Sequence, residues 1–333
     1  MPERLEALKH WLETELSFRE YTLKPASADA SFRRYFRVAH GADSYIVMDA
    51  PPDKEDSRPF ITVSRLFSDV GLHVPEVIDA DLGQGYLLLT DLGSRPYLDA
   101  LDENSVERLY GDALGALAGI QACSPAAGVL PDYDRGLLLR EMELFREWLL
   151  GRHLRLSLSV AASTQLDAAF ELLADSALSQ PRVCVHRDYH SRNLMVTQRN
   201  NPGILDFQDA VTGPVTYDLV SLLRDCYIQW PRERVEGWAL GYQELALQSG
   251  ILREEHESPE QFLRWFDLMG IQRHLKAAGI FARLNHRDGK PGYMHDVPRT
   301  LHYIVGSGAK YGQLDWLVEL VSGRCLPALE AQR

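Results

Sequence analysis

The chain has 333 residues, enough for about two domains or lobes. Hydrophobic residues make up 45% and charged residues 25%, an ordinary composition for a soluble globular protein that builds its core without disulfide or metal staples. Lys and Arg number 35 against 47 Asp and Glu, a formal net charge of −12, which argues against a nucleic-acid partner and against binding to an anionic membrane surface.

Leu5, Leu8, Trp11, Leu12 and Leu16 recur at helical spacing and predict an amphipathic first helix. Residues 31–38 and 44–49 alternate and are rich in β formers, and His40-Gly41-Ala42-Asp43 between them predicts a hairpin. Residues 59–70 predict a helix, with Pro59 in its first turn and Gly71 at its end. Residues 74–80 and 86–90 predict two more strands. After Asp91-Leu92-Gly93 the character changes. Val106, Leu109, Tyr110, Ala113, Leu117 and Ile120 mark a helix with Asn104 as its expected cap. Met142, Phe145, Trp148 and Leu149 mark the next, and Leu166, Ala169, Phe170 and Leu173 a third. Two short apolar runs follow, 183–185 and 203–205, and helices resume from about 217, with breaks near 231 and 289–292. Cys123, Cys184, Cys226 and Cys325 share no CxxC spacing and suit a reducing compartment. The first residues, MPERLEALKHWLETEL, lack an apolar signal region, and no stretch approaches the ~20 apolar residues of a membrane helix. A cytoplasmic location is the expectation.

Residues 183–210 carry the chemistry. His186, Arg187, Asp188 and Asn193 form the pattern H-R-D-x-x-x-x-N, and the run at 203–205 then leads into Asp206. Phosphoryl transfer requires these residue types. Asp188 can accept the proton of an attacking hydroxyl, and Asn193 and Asp206 offer the hard oxygens that Mg²⁺ prefers. Singly, each residue reads as a turn former or a buried histidine; together they favour catalysis.

These motifs resemble the aminoglycoside phosphotransferase family, a branch of the protein-kinase-like fold, over nearly the whole chain. The resemblance implies an α+β, two-lobed fold: a small β-rich N-lobe at 1–92, with a hinge at about 88–92, and a larger, mostly helical C-lobe at 93–333. It implies ATP and Mg²⁺ as cofactors, Asp188 as base, Asn193 and Asp206 as metal ligands, and Leu89, Asp91 and Leu92 in the adenine-pairing hinge. Asp218 matches a carboxylate that braces the catalytic loop, although it also reads as a helix cap. Within the family, SFRRYFRV (31–38), YIVMDAPP (45–52), LLLTDLG (87–93), HRDYHSRNLM (186–195) and RHLKAAGIFARL (273–284) resemble kinases acting on the anomeric hydroxyl of N-acetylated amino sugars, N-acetylmuramate and N-acetylglucosamine. The implied partner is thus a small amino sugar, with no obligate protein partner.

Three departures stand out. The strand that carries a lysine in protein kinases reads Ile46-Val47-Met48-Asp49. The loop over the phosphates, residues 27–32, has no glycine, and Asp206 is followed by Phe-Gln-Asp. Arg33 and Arg34, beside Ser31 and Phe32, are the expected replacements for the missing cation, and the small loop residues leave backbone N–H groups open to phosphate oxygens. The family places the acceptor beside the base, which makes His190, Arg192, Asp209, Arg224, Arg273, His274 and Lys276 candidates for binding it. As a group they suit an acidic sugar better than a polycationic aminoglycoside. The alternatives are an aminoglycoside, choline or amino-alcohol kinase, a pseudokinase lacking turnover, and, more distantly, a metal hydrolase using His186 and His190.

Overall fold

The computed structural model describes residues 2–28 and 32–332. They form two compact units: Met1–Arg95 with Leu194–Asp209, and Pro96–Asn193 with Ala210–Arg333.

The first unit holds helix α1 (Pro2–Thr14), strands β1 (Tyr21–Ala28), β2 (Arg34–His40) and β3 (Asp43–Asp49), helix α2 (Arg58–Asp69), and strands β4 (Val77–Asp81) and β5 (Tyr86–Thr90). The strands form one antiparallel sheet in the order β1-β2-β3-β5-β4. Side chains alternate between the two faces of a strand. One face therefore carries Val38, Val47, Tyr86 and Leu88, which pack with Leu8, Trp11 and Leu12 of α1 in a single core. Met48, Leu87 and Leu89, also buried, alternate onto the other face. Gly85, at φ +76, closes the β4–β5 turn, and a Cβ there would lie 1.9 Å from the Ala50 carbonyl oxygen. Only glycine fits this approach.

Residues 194–209, beyond the expected boundary at 92, belong with this unit. Strands β7 (Leu194–Met195) and β8 (Gly203–Ile204) pair with each other. The Val196 N–H donates to the Arg95 carbonyl and the Ile204 N–H to the His73 carbonyl, both at 2.8 Å. The Phe207 ring packs 4.8 Å from Phe60 and 5.9 Å from Phe67 of α2, centroid to centroid.

The second unit is mostly helical. Helices α3 (Val106–Ala122), α4 (Arg135–Leu144) and α5 (Val160–Leu178) precede the antiparallel pair β6 (Arg182–Val185) and β9 (Val211–Pro214). Then come α6 (Tyr217–Leu223), α7 (Arg232–Gln248), α8 (Pro259–Asp288), α9 (Val297–Gly308), α10 (Asp315–Leu320) and α11 (Leu326–Glu330). The 30-residue α8 starts where the Ser258 side chain accepts from the Gln261 N–H, and stops at Gly289 with φ +65. At Gly279 its backbone meets the end of α4 so closely that a Cβ would lie 2.3 Å from the Leu144 carbonyl carbon.

The expected hairpin is β2–β3, and the helix expected at 59–70 is α2. Asn104 does not cap α3. The Asp102 carboxylate takes the N–H groups of Asn104 and Ser105, and the helix begins after Ser105. β1 was not anticipated; a register shift between Pro25 and Ser27 breaks the alternation that would have marked it.

Candidate active site

The loop from His186 to Asn193 leaves β6 and is held from both ends by buried carboxylates. At the start of α6, Asp218 accepts the His186 N–H at 2.6 Å and the Arg187 N–H at 2.9 Å. Arg187 has φ +78, a left-handed conformation that these bonds help to hold. Burial pushes the Asp218 carboxyl up to about 7 despite its two donors. At the other end, Asp225 accepts the Ser191 N–H and the Tyr227 N–H, each at 2.9 Å. Within the loop, the Asp188 N–H donates to His186 Nδ1 at 3.2 Å, so that ring nitrogen serves the loop and not a metal. The Asp188 carbonyl accepts the His190 N–H and Asn193 Nδ2, both at 3.0 Å. The amide oxygen is then the atom with which Asn193 would meet a cation.

Burial alone would raise the Asp188 carboxyl, but Lys276, His190, Arg187 and Arg273 together hold it below the usual carboxylate range. Lys276 is itself fixed, donating to Tyr217 Oη at 2.9 Å and pairing with Glu141 at 3.1 Å. Glu141 also receives the Arg187 guanidinium and the Tyr133 hydroxyl. Burial would raise its carboxyl too, and Lys276 and Arg187 bring it below its ordinary value. Burial lowers His190, against the opposing pull of Asp225 and Asp188.

The expected acceptor residues of this unit separate into two groups. His190, Arg273 and Lys276 face the charge of Asp188, and Arg192 lies among the charges around His190. Arg224 and His274 belong to the helical core. Arg224 donates to Asp267 at 2.5 Å and to Ser307 Oγ at 2.9 Å, and its guanidinium lies 4.3 Å from the Phe266 ring centroid. His274 stacks on Tyr303 at 4.7 Å and donates from Nε2 to the Arg224 carbonyl at 2.9 Å.

In the first unit, Asp206 has φ +65 and accepts from Gln208 Nε2 at 2.8 Å, while Asp209 is exposed. Arg33 pairs with Glu55 at 3.0 Å, and Glu55 also accepts the Phe32 N–H at 3.2 Å. Ser31 lies outside the described residues. Arg34 and Arg4 both donate through Nε, at 3.0 Å each, to Asp49, the fully buried residue at the end of β3. Leu89 is buried opposite Ile46, and Leu92 is buried as well. Burial would raise the Asp91 carboxyl, but Arg37 at 2.6 Å, the Ser44 hydroxyl at 2.5 Å and the Gly93 N–H at 2.9 Å bring it below the ordinary value.

Sequence reasoning missed Glu141, Asp225 and Tyr227. Asp225, two residues beyond the end of α6 at Leu223, is the one whose position hinted at a role. As donors, the amide oxygen of Asn193 and the carboxylate of Asp206 have the hard-oxygen chemistry that suits Mg²⁺.

A loop that holds an aspartate and an asparagine together, in a chain that also carries a unit built on an antiparallel sheet, marks a kinase-like phosphotransferase. Residues 22–262 match the phosphotransferase enzyme family APH, and the chain belongs to that family. It is 47% identical over 335 residues to the N-acetylmuramate/N-acetylglucosamine kinase of Pseudomonas putida, covering 97% of this chain and 98% of that protein. Against the protein of the same name from Pseudomonas aeruginosa it is 49% identical over 300 residues, 90% of this chain and 88% of that one. The fold is also that of the aminoglycoside phosphotransferase APH(2'')-Ib, solved with ADP bound: TM-score 0.57 and 17% identity, over 90% of this chain and 97% of that one. Among the described residues, no helix is long and apolar enough to cross a membrane.

Proposed function

We propose that this phosphotransferase uses ATP and Mg²⁺ to phosphorylate the anomeric hydroxyl of N-acetylmuramate and N-acetylglucosamine, in the cytoplasm, as a step in peptidoglycan recycling. The observation that carries the substrate is the 47% identity, over almost the full length of both chains, to a kinase named for those two sugars. The site supports the chemistry. Asp188, held anionic by its surrounding cations, accepts the proton as the anomeric oxygen attacks the γ-phosphorus. The bond from that phosphorus to the bridging oxygen breaks, and ADP leaves. Bound Mg²⁺, with Asn193 and Asp206 as its protein ligands, would offset charge on the phosphates. Arg33 is the proposed phosphate-facing cation and residues 88–92 the proposed adenine-binding segment; the second unit carries Asp188, Asn193 and the acceptor candidates other than Asp209, and the first carries Asp206 and Asp209.

Cations crowd Asp188, which disfavours a polycationic acceptor and supports a neutral or acidic one. The test is ADP release from ATP and Mg²⁺ with a panel of acceptors. Both amino sugars should support turnover, and their 1-O-methyl glycosides should not. Turnover of choline or an aminoglycoside with neither sugar active would overturn the proposal.

A further inference from the structure

Accepting the amino-sugar reading, one sugar carries a carboxylate and the other does not, so a cation that meets this carboxylate would discriminate between them. Arg224 is neutralised by Asp267, and Lys276 by Glu141. Arg273 is buried, with its nearest polar contact at Cys226 Sγ, 3.8 Å away, and it faces the charges of Asp188 and Asp225.

Arg192 differs from all three. It is exposed, and no carboxylate among the described residues lies within ion-pair distance of it. Its guanidinium lies 3.7 Å from the Tyr227 ring centroid and 5.6 Å from that of Tyr293. Aromatic faces orient a guanidinium without neutralising it, and the planar fork keeps its edges available to a second ligand.

This stack is built into the fold. Asp225 holds the Ser191 and Tyr227 N–H groups together, fixing the backbone next to Arg192 and the ring beneath it with one carboxylate. Tyr293 stacks on Phe281 of α8 at 5.7 Å, and Phe281 lies 6.1 Å from Tyr227. The His190 ring meets Tyr227 edge-on at 5.3 Å, and its buried Nδ1 has no partner among the described residues. His190 in turn donates its N–H to the Asp188 carbonyl at 3.0 Å, which ties the cluster to the proposed base.

We propose that Arg192, seated on Tyr227 and Tyr293, binds the carboxylate of an acidic acceptor and thereby sets the preference between N-acetylmuramate and N-acetylglucosamine. A guanidinium takes a carboxylate bidentately, and a neutral sugar offers nothing equivalent.

The test is steady-state kinetics of Arg192→Gln and Arg192→Lys with both sugars. Arg192→Gln should lower the ratio of kcat/KM for N-acetylmuramate over N-acetylglucosamine by about 10–100-fold, the range of a charge-assisted hydrogen bond. The change should appear mainly in KM for N-acetylmuramate, and Arg192→Lys should recover part of it. An unchanged ratio, with both sugars affected alike or neither affected, would overturn the assignment while leaving the amino-sugar reading intact. Turnover of neither sugar by the unsubstituted protein would overturn that reading and this assignment with it.

Discussion

The Asn193 side-chain amide donates to the Asp188 backbone carbonyl at 3.0 Å, so the proposed metal ligand and the proposed base are set by one hydrogen bond within one loop. Neither residue can shift without disturbing the other.

Replacing Asp188 with Asn removes the proton acceptor with almost no change of shape. Turnover should fall ~10²–10⁴-fold. Thermal unfolding should show a folded protein, and nucleotide affinity should stay close to that of the unsubstituted chain. Near-normal turnover would exclude Asp188 as the base.

The two adjacent arginines of β2 and its approach should behave differently. Arg33→Ala should raise KM for ATP by ~10-fold or more, the scale of a lost charge-assisted phosphate contact. Lys54→Ala, at an exposed site beside Asp53, serves as the control and should have little effect. Arg34→Ala instead takes one of two cations from buried Asp49 and should cost ~1–3 kcal/mol of stability in urea unfolding. Equal, small effects on ATP from Arg33→Ala and Lys54→Ala would remove the phosphate role of Arg33.

Gly279→Ala should destabilise the second unit. Its Cβ would lie 2.3–2.5 Å from backbone atoms of Leu144 and Phe145, which cannot rotate aside as a flexible side chain could. The expected loss is ~1–3 kcal/mol or more, read as a lower urea midpoint. Gly237→Ala in α7, with nothing near its Cβ, should be neutral or slightly stabilising.

Acid should weaken the fold through His274. Burial lowers its pKa to about 3, while the unfolded chain titrates near the ordinary value of 6.5. Between these values the unfolded state binds the extra proton, so stability is full above about 6.5 and declines as pH falls toward 3. One such group contributes a slope of at most ~1.4 kcal/mol per pH unit. His274→Phe, which can keep the stack on Tyr303, should flatten the pH dependence of unfolding across that window. An unaltered slope would mean that other groups govern it.

Local signals in the sequence carried much of this protein. The β2–β3 hairpin, α2 and the stop at Gly289 are written in short-range alternation, periodicity and turn residues. Asp188 and Asn193 are close in the chain, so the joint role proposed for them could be read before any fold was known. The Asp218 brace was legible only by resemblance. β1 escaped because its bulge disrupts the alternating pattern. Pairing of the cations was beyond reach, since Arg224, Arg273 and Lys276 are equivalent charges when read along the chain. Tertiary packing gave Arg224 to Asp267 and Lys276 to Glu141, partners that lie on other helices. It also left Arg192 against tyrosine faces, with no ion-pair partner among the described residues. Charge type is a property of each residue, whereas neutralisation depends on which distant segments the folded backbone brings within a few ångströms, and only the tertiary structure decides that.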